Sequence, residues 1–89
     1  MYNPGTEMTT EQAAVFDFER SARWKYLGAK ETAIRETFGI SLTRYNQVLN
    51  RAIDTEEALR IDPVNTRRLR RLREYRQAQR SSRRLGFSL

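Results

Sequence analysis

Apolar residues recur at helical spacing along most of the chain, most clearly from Glu31 to Ile53. There Ile34 and Phe38 fall on one face of a short first helix, Gly39 punctuates, Ile40 points inward and Ser41 is placed to cap a second helix. In that second helix Tyr45, Val48, Leu49, Ala52 and Ile53 share one face, which marks it as buried. The stretch reads as helix, turn, helix. Upstream, Thr9 followed by Gln12 forms a capping box, so a helix is expected from about Thr10. Val15, Phe18, Ala22 and Tyr26 mark its inner face, with Phe16 and Leu27 close by, and Gly28 is its expected stop. Trp24 and Tyr26 are expected in the core, with partner contact as the other reading.

Downstream, Asp54 and Thr55 offer a cap for a short helix from Glu56 to Arg60. Asp62 before Pro63 is a second start signal, opening a long helix to about Arg84 that Gly86 ends. Its apolar stripe is thin: Val64, Leu69, Leu72, Tyr75 and Ala78. The first half is expected to dock through Leu69 and Leu72, whereas the second half has little to hold it. The predicted fold is therefore all-α: a three-helix helix-turn-helix core, a short connecting helix and a long basic C-terminal helix. The expected parts are a mobile arm over residues 1–8, the core over 9–61, the arginine-rich helix over 62–85 and a loose tail over 86–89.

Composition narrows the chemistry. The 89 residues fit one domain with a modest core. With no cysteine and no histidine, disulfides, the usual transition-metal ligands and the commonest general base are all missing. No acid pair, nucleophile–base pair or phosphate loop stands out, so neither enzyme activity, a metal nor a cofactor is expected. No apolar run approaches a membrane span or a signal-peptide core, which points to the cytoplasm, and for a DNA binder to the nucleoid.

The net charge of +6 is placed unevenly. Residues 1–60 carry eight Lys or Arg against nine Asp or Glu, whereas residues 61–89 carry nine Arg against Asp62 and Glu74. That asymmetry points to a polyanion partner for the C-terminal segment. On the second helix of the motif, Thr43, Asn46, Gln47 and Asn50 remain outside, flanked by Arg44 and Arg51. An amide face bordered by arginines suits a major-groove reader, because Asn and Gln can bond an adenine edge in two places and Arg can hold phosphate or guanine. Thr43, Asn46, Gln47 and Asn50 are the candidate base readers of double-stranded DNA. The phosphate candidates are Lys30, Ser41, Arg44 and Arg51, with Arg67, Arg68, Arg70, Arg71, Arg73, Arg76 and Arg80 in the tail. Arg20, Arg23 and Lys25 near the end of the first helix are dipole-compensating or phosphate contacts. Crowded arginines repel one another by roughly 0.2–0.5 kcal/mol per pair, so a ligand bearing phosphates is expected to order the helix.

Two resemblances accompany these residues. Gly39-Ile40-Ser41, Arg44, Gln47-Val48 and Arg51-Ala52-Ile53 resemble the helix-turn-helix of region 4 in bacterial sigma factors, with Leu42, Thr43 and Arg35 departing from that pattern. The strings FER, WKYLGAKETAIRETFG, TRYNQVLN, ALRIDP and RLRRLR, spread from about Phe18 to Leu85, are similar to a small actinobacterial family of unknown function. The first resemblance implies a DNA-binding motif and makes RNA polymerase a possible partner. The second implies an actinobacterial or actinophage origin and suggests a DNA-associated role. A transcription regulator or nucleoid-associated factor is the leading expectation. Its alternative is an adaptor for RNA polymerase or the ribosome that uses the motif as a protein-contact surface. RNA binding fits the arginine helix less well, a membrane surface is disfavoured by the polar residues that dilute its apolar face, and a homodimer stays open.

Overall fold

The computed structural model describes residues 6–21 and 26–84, the side chains of 82–84 excepted. Helices α1 (Thr10–Ser21), α2 (Leu27–Phe38), α3 (Leu42–Ile53), α4 (Glu56–Ile61) and α5 (Pro63–Arg84) follow one another, with no strand among the described residues. Local chemistry sets most of the starts. At α1 the Thr9 N–H donates to Gln12 Oε1 (3.0 Å) while the Gln12 N–H donates to Thr9 Oγ1 (3.1 Å), the reciprocal pair of a capping box. Ser41 Oγ accepts from the Arg44 N–H, Thr55 Oγ1 from Ala58 and Asp62 Oδ1 from Asn65, each at 3.1–3.2 Å. The Asn65 N–H, and then the Arg20 guanidinium beside it, hold the Asp62 carboxyl below the usual carboxylate range.

The α2–α3 connection is a tight turn through Gly39, Ile40 and Ser41. Gly39 takes a left-handed conformation (φ 68°) and its N–H donates to Arg35 O, which closes α2.

Several expectations are corrected. Gly28 is not a stop: it lies in the first turn of α2, outside the helix interior where glycine's backbone-entropy cost applies in full. The strong helix formers Ala29, Lys30 and Glu31 carry that helix four residues upstream of Glu31. Tyr26 is 71% exposed and Leu27 63%, so neither joins the core. Val64, Leu72, Tyr75 and Ala78 are likewise exposed, so of the expected stripe only Leu69 docks, and the inner face of α5 is Thr66, Leu69 and the stems of Arg70 and Arg73. The arm is also held in part: Glu57 N–H donates to Thr6 O (2.9 Å) and Glu57 Oε1 accepts from the Met8 N–H (2.8 Å). Residues 1–5, Ala22, Arg23, Trp24, Lys25, Gly86 and the tail to Leu89 lie outside the described residues, as do the Arg83 and Arg84 side chains.

The core collects on the inner face of α3. Tyr45, Val48, Leu49, Ala52 and Ile53 are buried there against Val15 and Phe16 of α1, Ile34 of α2 and Ala58 of α4. Tyr45 has no exposed surface, and the rings of Phe18 (α1) and Phe38 (α2) pack on it at 5.9 and 6.2 Å and on each other edge-on at 5.3 Å. Its hydroxyl donates to Glu19 Oε1 (2.7 Å), the same oxygen that Lys30 Nζ approaches to 2.8 Å, and the Lys30 ammonium lies 5.5 Å from the Tyr45 ring centre. One residue from each of three helices thus closes a polar knot inside an aromatic cluster. No described buried side-chain polar atom lacks a partner.

Burial, then the hydrogen bond to Glu19 and its negative charge, push the Tyr45 phenol above its ordinary pKa. A raised folded-state pKa adds stability that is complete below the unfolded value of about 10 and is lost as pH rises beyond it. Tyr45→Phe is therefore expected to cost about 1–2 kcal/mol near neutrality. The variant should also lose less stability than the parent between about pH 8 and about pH 11. Thermal melts of both proteins across that range check the difference.

Candidate nucleic-acid interface

Burying Tyr45, Val48, Leu49 and Ala52 turns the opposite side of α3 outward, since residues advance by about 100° in a helix. Thr43, Gln47 and Asn50 occupy the middle of that outer face, Arg44 and Arg51 one flank and Asn46 the other, and all six are exposed. The central strip carries no charge. On the first flank Arg44 reaches Glu11 of α1 (3.1 Å), while Arg51 makes no salt bridge.

Helix α5 lies along the other flank. Its attachment follows from an unmet need at the C-terminus of α3, where the last four carbonyls have no intrahelical donor. Arg51 O and Ala52 O are met by the N–H groups of Asp54 and Thr55, and Ala52 O also by the Thr55 hydroxyl. The other two are met from α5: Arg70 Nε donates to Ile53 O (2.6 Å) and Arg73 Nη1 to Asn50 O (3.2 Å). Arg73 also grips Asp54 with both ends of its fork, at 3.0 and 2.9 Å, and that pair raises its pKa further. Two cations thus sit at the negative end of the α3 dipole.

Arg70 faces Ile53, Arg73 faces Asn50, and Arg76 and Arg80 line the same groove as Asn46, so α5 runs antiparallel to α3. Beyond Arg73 every described side chain of α5 is exposed. The groove between the helices encloses about 320 Å³, with Lys30 and Glu19 at one end.

The expected phosphate ligands therefore separate by what they touch. Lys30 is committed to Glu19 and Tyr45 within the fold. Arg70 and Arg73 fasten α5, and Arg68 donates twice to Asn65 Oδ1. Arg20 meets Asp62 (3.1 Å) and Asp17, joining the end of α1 to the start of α5. Ser41 is exposed, with its hydroxyl oxygen on the Arg44 N–H. Among the described side chains, Arg51, Arg67, Arg71, Arg76 and Arg80 form no salt bridge. Arg51, Arg76 and Arg80 stand on the two flanks of the α3 face, and by helical spacing Arg67 and Arg71 lie on the far side of α5. That Glu19 and Asp54 engage Lys30 and Arg73 was not anticipated from the sequence. A lone acid inside an otherwise apolar helical face, as at Glu19 between Phe18 and Ala22, is the signal for the first.

Asp54→Asn removes the charge that Arg73 grips while leaving the carbonyl contacts in place. Because Asp54 is half-exposed, the expected cost is about 1 kcal/mol of stability. The change should be concentrated in faster amide hydrogen exchange along α5 beyond Leu69, with α1 and α2 little altered. Residue-resolved exchange on the two proteins measures it.

Among the described residues no helix is long and apolar enough to cross a membrane, and no group of His, Cys, Asp or Glu is placed to hold a metal ion. Neither a curated protein nor a solved structure matches this chain. Residues 7–81 match the family described as "Protein of unknown function (DUF3263)", and the chain belongs to that family.

Proposed function

We propose that this protein binds double-stranded DNA in the bacterial cytoplasm, as a transcription regulator or nucleoid-associated factor. The observation that carries the proposal is the outer side of α3: a neutral strip of Thr43, Gln47 and Asn50, bordered by Arg44 and Arg51 on one flank and by Asn46 with Arg76 and Arg80 on the other. Uncharged amides suit base edges, and guanidinium forks on both sides suit the two phosphate walls of a major groove about 12 Å wide. The tight turn through Gly39 presents α3 as the second helix of a helix-turn-helix, the usual recognition helix, and the resemblance to sigma factor region 4 supports the same assignment. An actinobacterial origin accords with the second resemblance. Arg76 and Arg80 sit on a helix segment with no packing of its own, so contact with phosphate both adds affinity and orders that segment.

Removing α5 is a poor test, because Thr66 and Leu69 are part of the core. Point variants of exposed residues are cleaner. If Arg44, Arg51, Arg76 and Arg80 meet phosphates, the affinity for random duplex DNA falls with salt at a log–log slope of about −3.6. Arg76→Ala with Arg80→Ala should flatten that slope by about 1.8 and weaken all sequences alike. Gln47→Ala should cost about 1–3 kcal/mol on a selected site and little on random DNA. Fluorescence anisotropy over a salt series reads all three. Equal losses on every sequence for both variants would contradict the division between base reading and phosphate holding. No binding by the parent at low salt would turn the search to RNA polymerase or the ribosome.

A further inference from the structure

The groove between α3 and the distal half of α5 differs chemically from the outer face of α3. Leu49, only 7% exposed, and the partly buried Leu69 form its floor, with Leu72 beside them. Asn46 and Asn50 stand along one wall, and Arg76 and Arg80 along the other. The volume of about 320 Å³ lies at the low end of small-molecule sites, roughly 300–1,000 Å³, and is far too small for a duplex.

Glu19 at one end is already engaged by Tyr45 and Lys30, and the leucines, amides and distal arginines of the lining each favour a different portion of one ligand. The leucine floor offers an apolar surface to a flat ring. The two amides can donate to and accept from the edge of that ring. Arg76 and Arg80 are one helical turn apart, so their forks can converge on one anionic group. Neither guanidinium forms a salt bridge, and both continue the side of α5 that docks on α3, where apolar residues would extend the packing. An anion in the groove cancels their mutual repulsion and draws the distal half of α5 toward α3.

We infer that this groove is a binding site for a single unpaired nucleoside phosphate unit, its base on Leu49, Leu69 and Leu72 and its phosphate between Arg76 and Arg80. The inference rests on the reading of this side of the molecule as its nucleic-acid face: Arg76 and Arg80 border both the outer face of α3 and the groove, so a nucleotide that has left its partner strand or is free in solution occupies the groove when those two arginines are not on duplex phosphates.

Nuclear magnetic resonance of the full chain, with labelled leucine methyls and side-chain amides, separates the possibilities. The probes are adenosine monophosphate, a short single-stranded oligoadenylate, inorganic phosphate and a random-sequence duplex. The nucleotide or the single strand should move the methyls of Leu49, Leu69 and Leu72 through the ring current, together with the Asn46 and Asn50 amides, whereas phosphate leaves the methyls unmoved. Shifts with the single strand alone assign the site to a polymer, and shifts with the mononucleotide at comparable affinity assign it to a free ligand; both support the inference. Arg76→Ala and Arg80→Ala carry no packing role and should each weaken that binding about tenfold or more.

If the duplex moves the Gln47 side-chain amide while nothing moves the leucine methyls, the groove site is overturned and the duplex reading stands. If the nucleotide moves only what phosphate moves, recognition of the base is overturned. If no probe binds, both readings fall.

Discussion

The fold depends on how Tyr45 is held. A phenol with no exposed surface needs a partner for its hydroxyl, and Glu19 supplies it; a carboxylate at that depth needs a cation in turn, and Lys30 supplies that. The chain of need runs from α3 to α1 to α2, so one side chain fixes the relative placement of three helices. With Phe18 and Phe38 packed around the same ring, α3 cannot rotate about its axis without breaking both the aromatic contacts and the hydrogen bond. That fixed rotation is what keeps Thr43, Gln47 and Asn50 facing out.

A second constraint acts where α3 ends. Its orphan carbonyls and Asp54 recruit Arg70 and Arg73, and this turns an arginine-rich helix with few apolar residues into part of the fold. The arginines of α5 thereby take two roles in sequence order. Those up to Arg73 that face the core are spent on attachment, whereas Arg76 and Arg80 beyond it line the flank of α3 and form no salt bridge. The change at Arg73 coincides with the last partly buried side chain described in the helix.

Much of this was legible in the sequence because local signals were strong. The capping box at Thr9, the Ser41, Thr55 and Asp62 caps and the Gly39 turn are each set by residues within a few positions of one another, as is the inner face of α3. The misjudged features depend on contacts distant in sequence. Gly28 read as a stop because glycine ends many helices, yet its meaning depends on whether the chain is entering or leaving one. Lys30, Arg70 and Arg73 read as phosphate candidates because their acceptors, Glu19, Ile53 O and Asp54, lie 11 to 19 residues away. Charge counting shows how many cations a segment carries. Only the packing shows which of them are already answered.

On the proposed reading, the outer face of α3 and the unpacked distal half of α5 act together on nucleic acid. Amide hydrogen exchange of the full chain with and without duplex DNA tests it most directly, because exchange reports ordering residue by residue. New protection is expected over residues 74–81 together with slowed exchange along α3, and little change in α1. Protection confined to α1, α2 or α4, or none in the presence of saturating DNA, would contradict it.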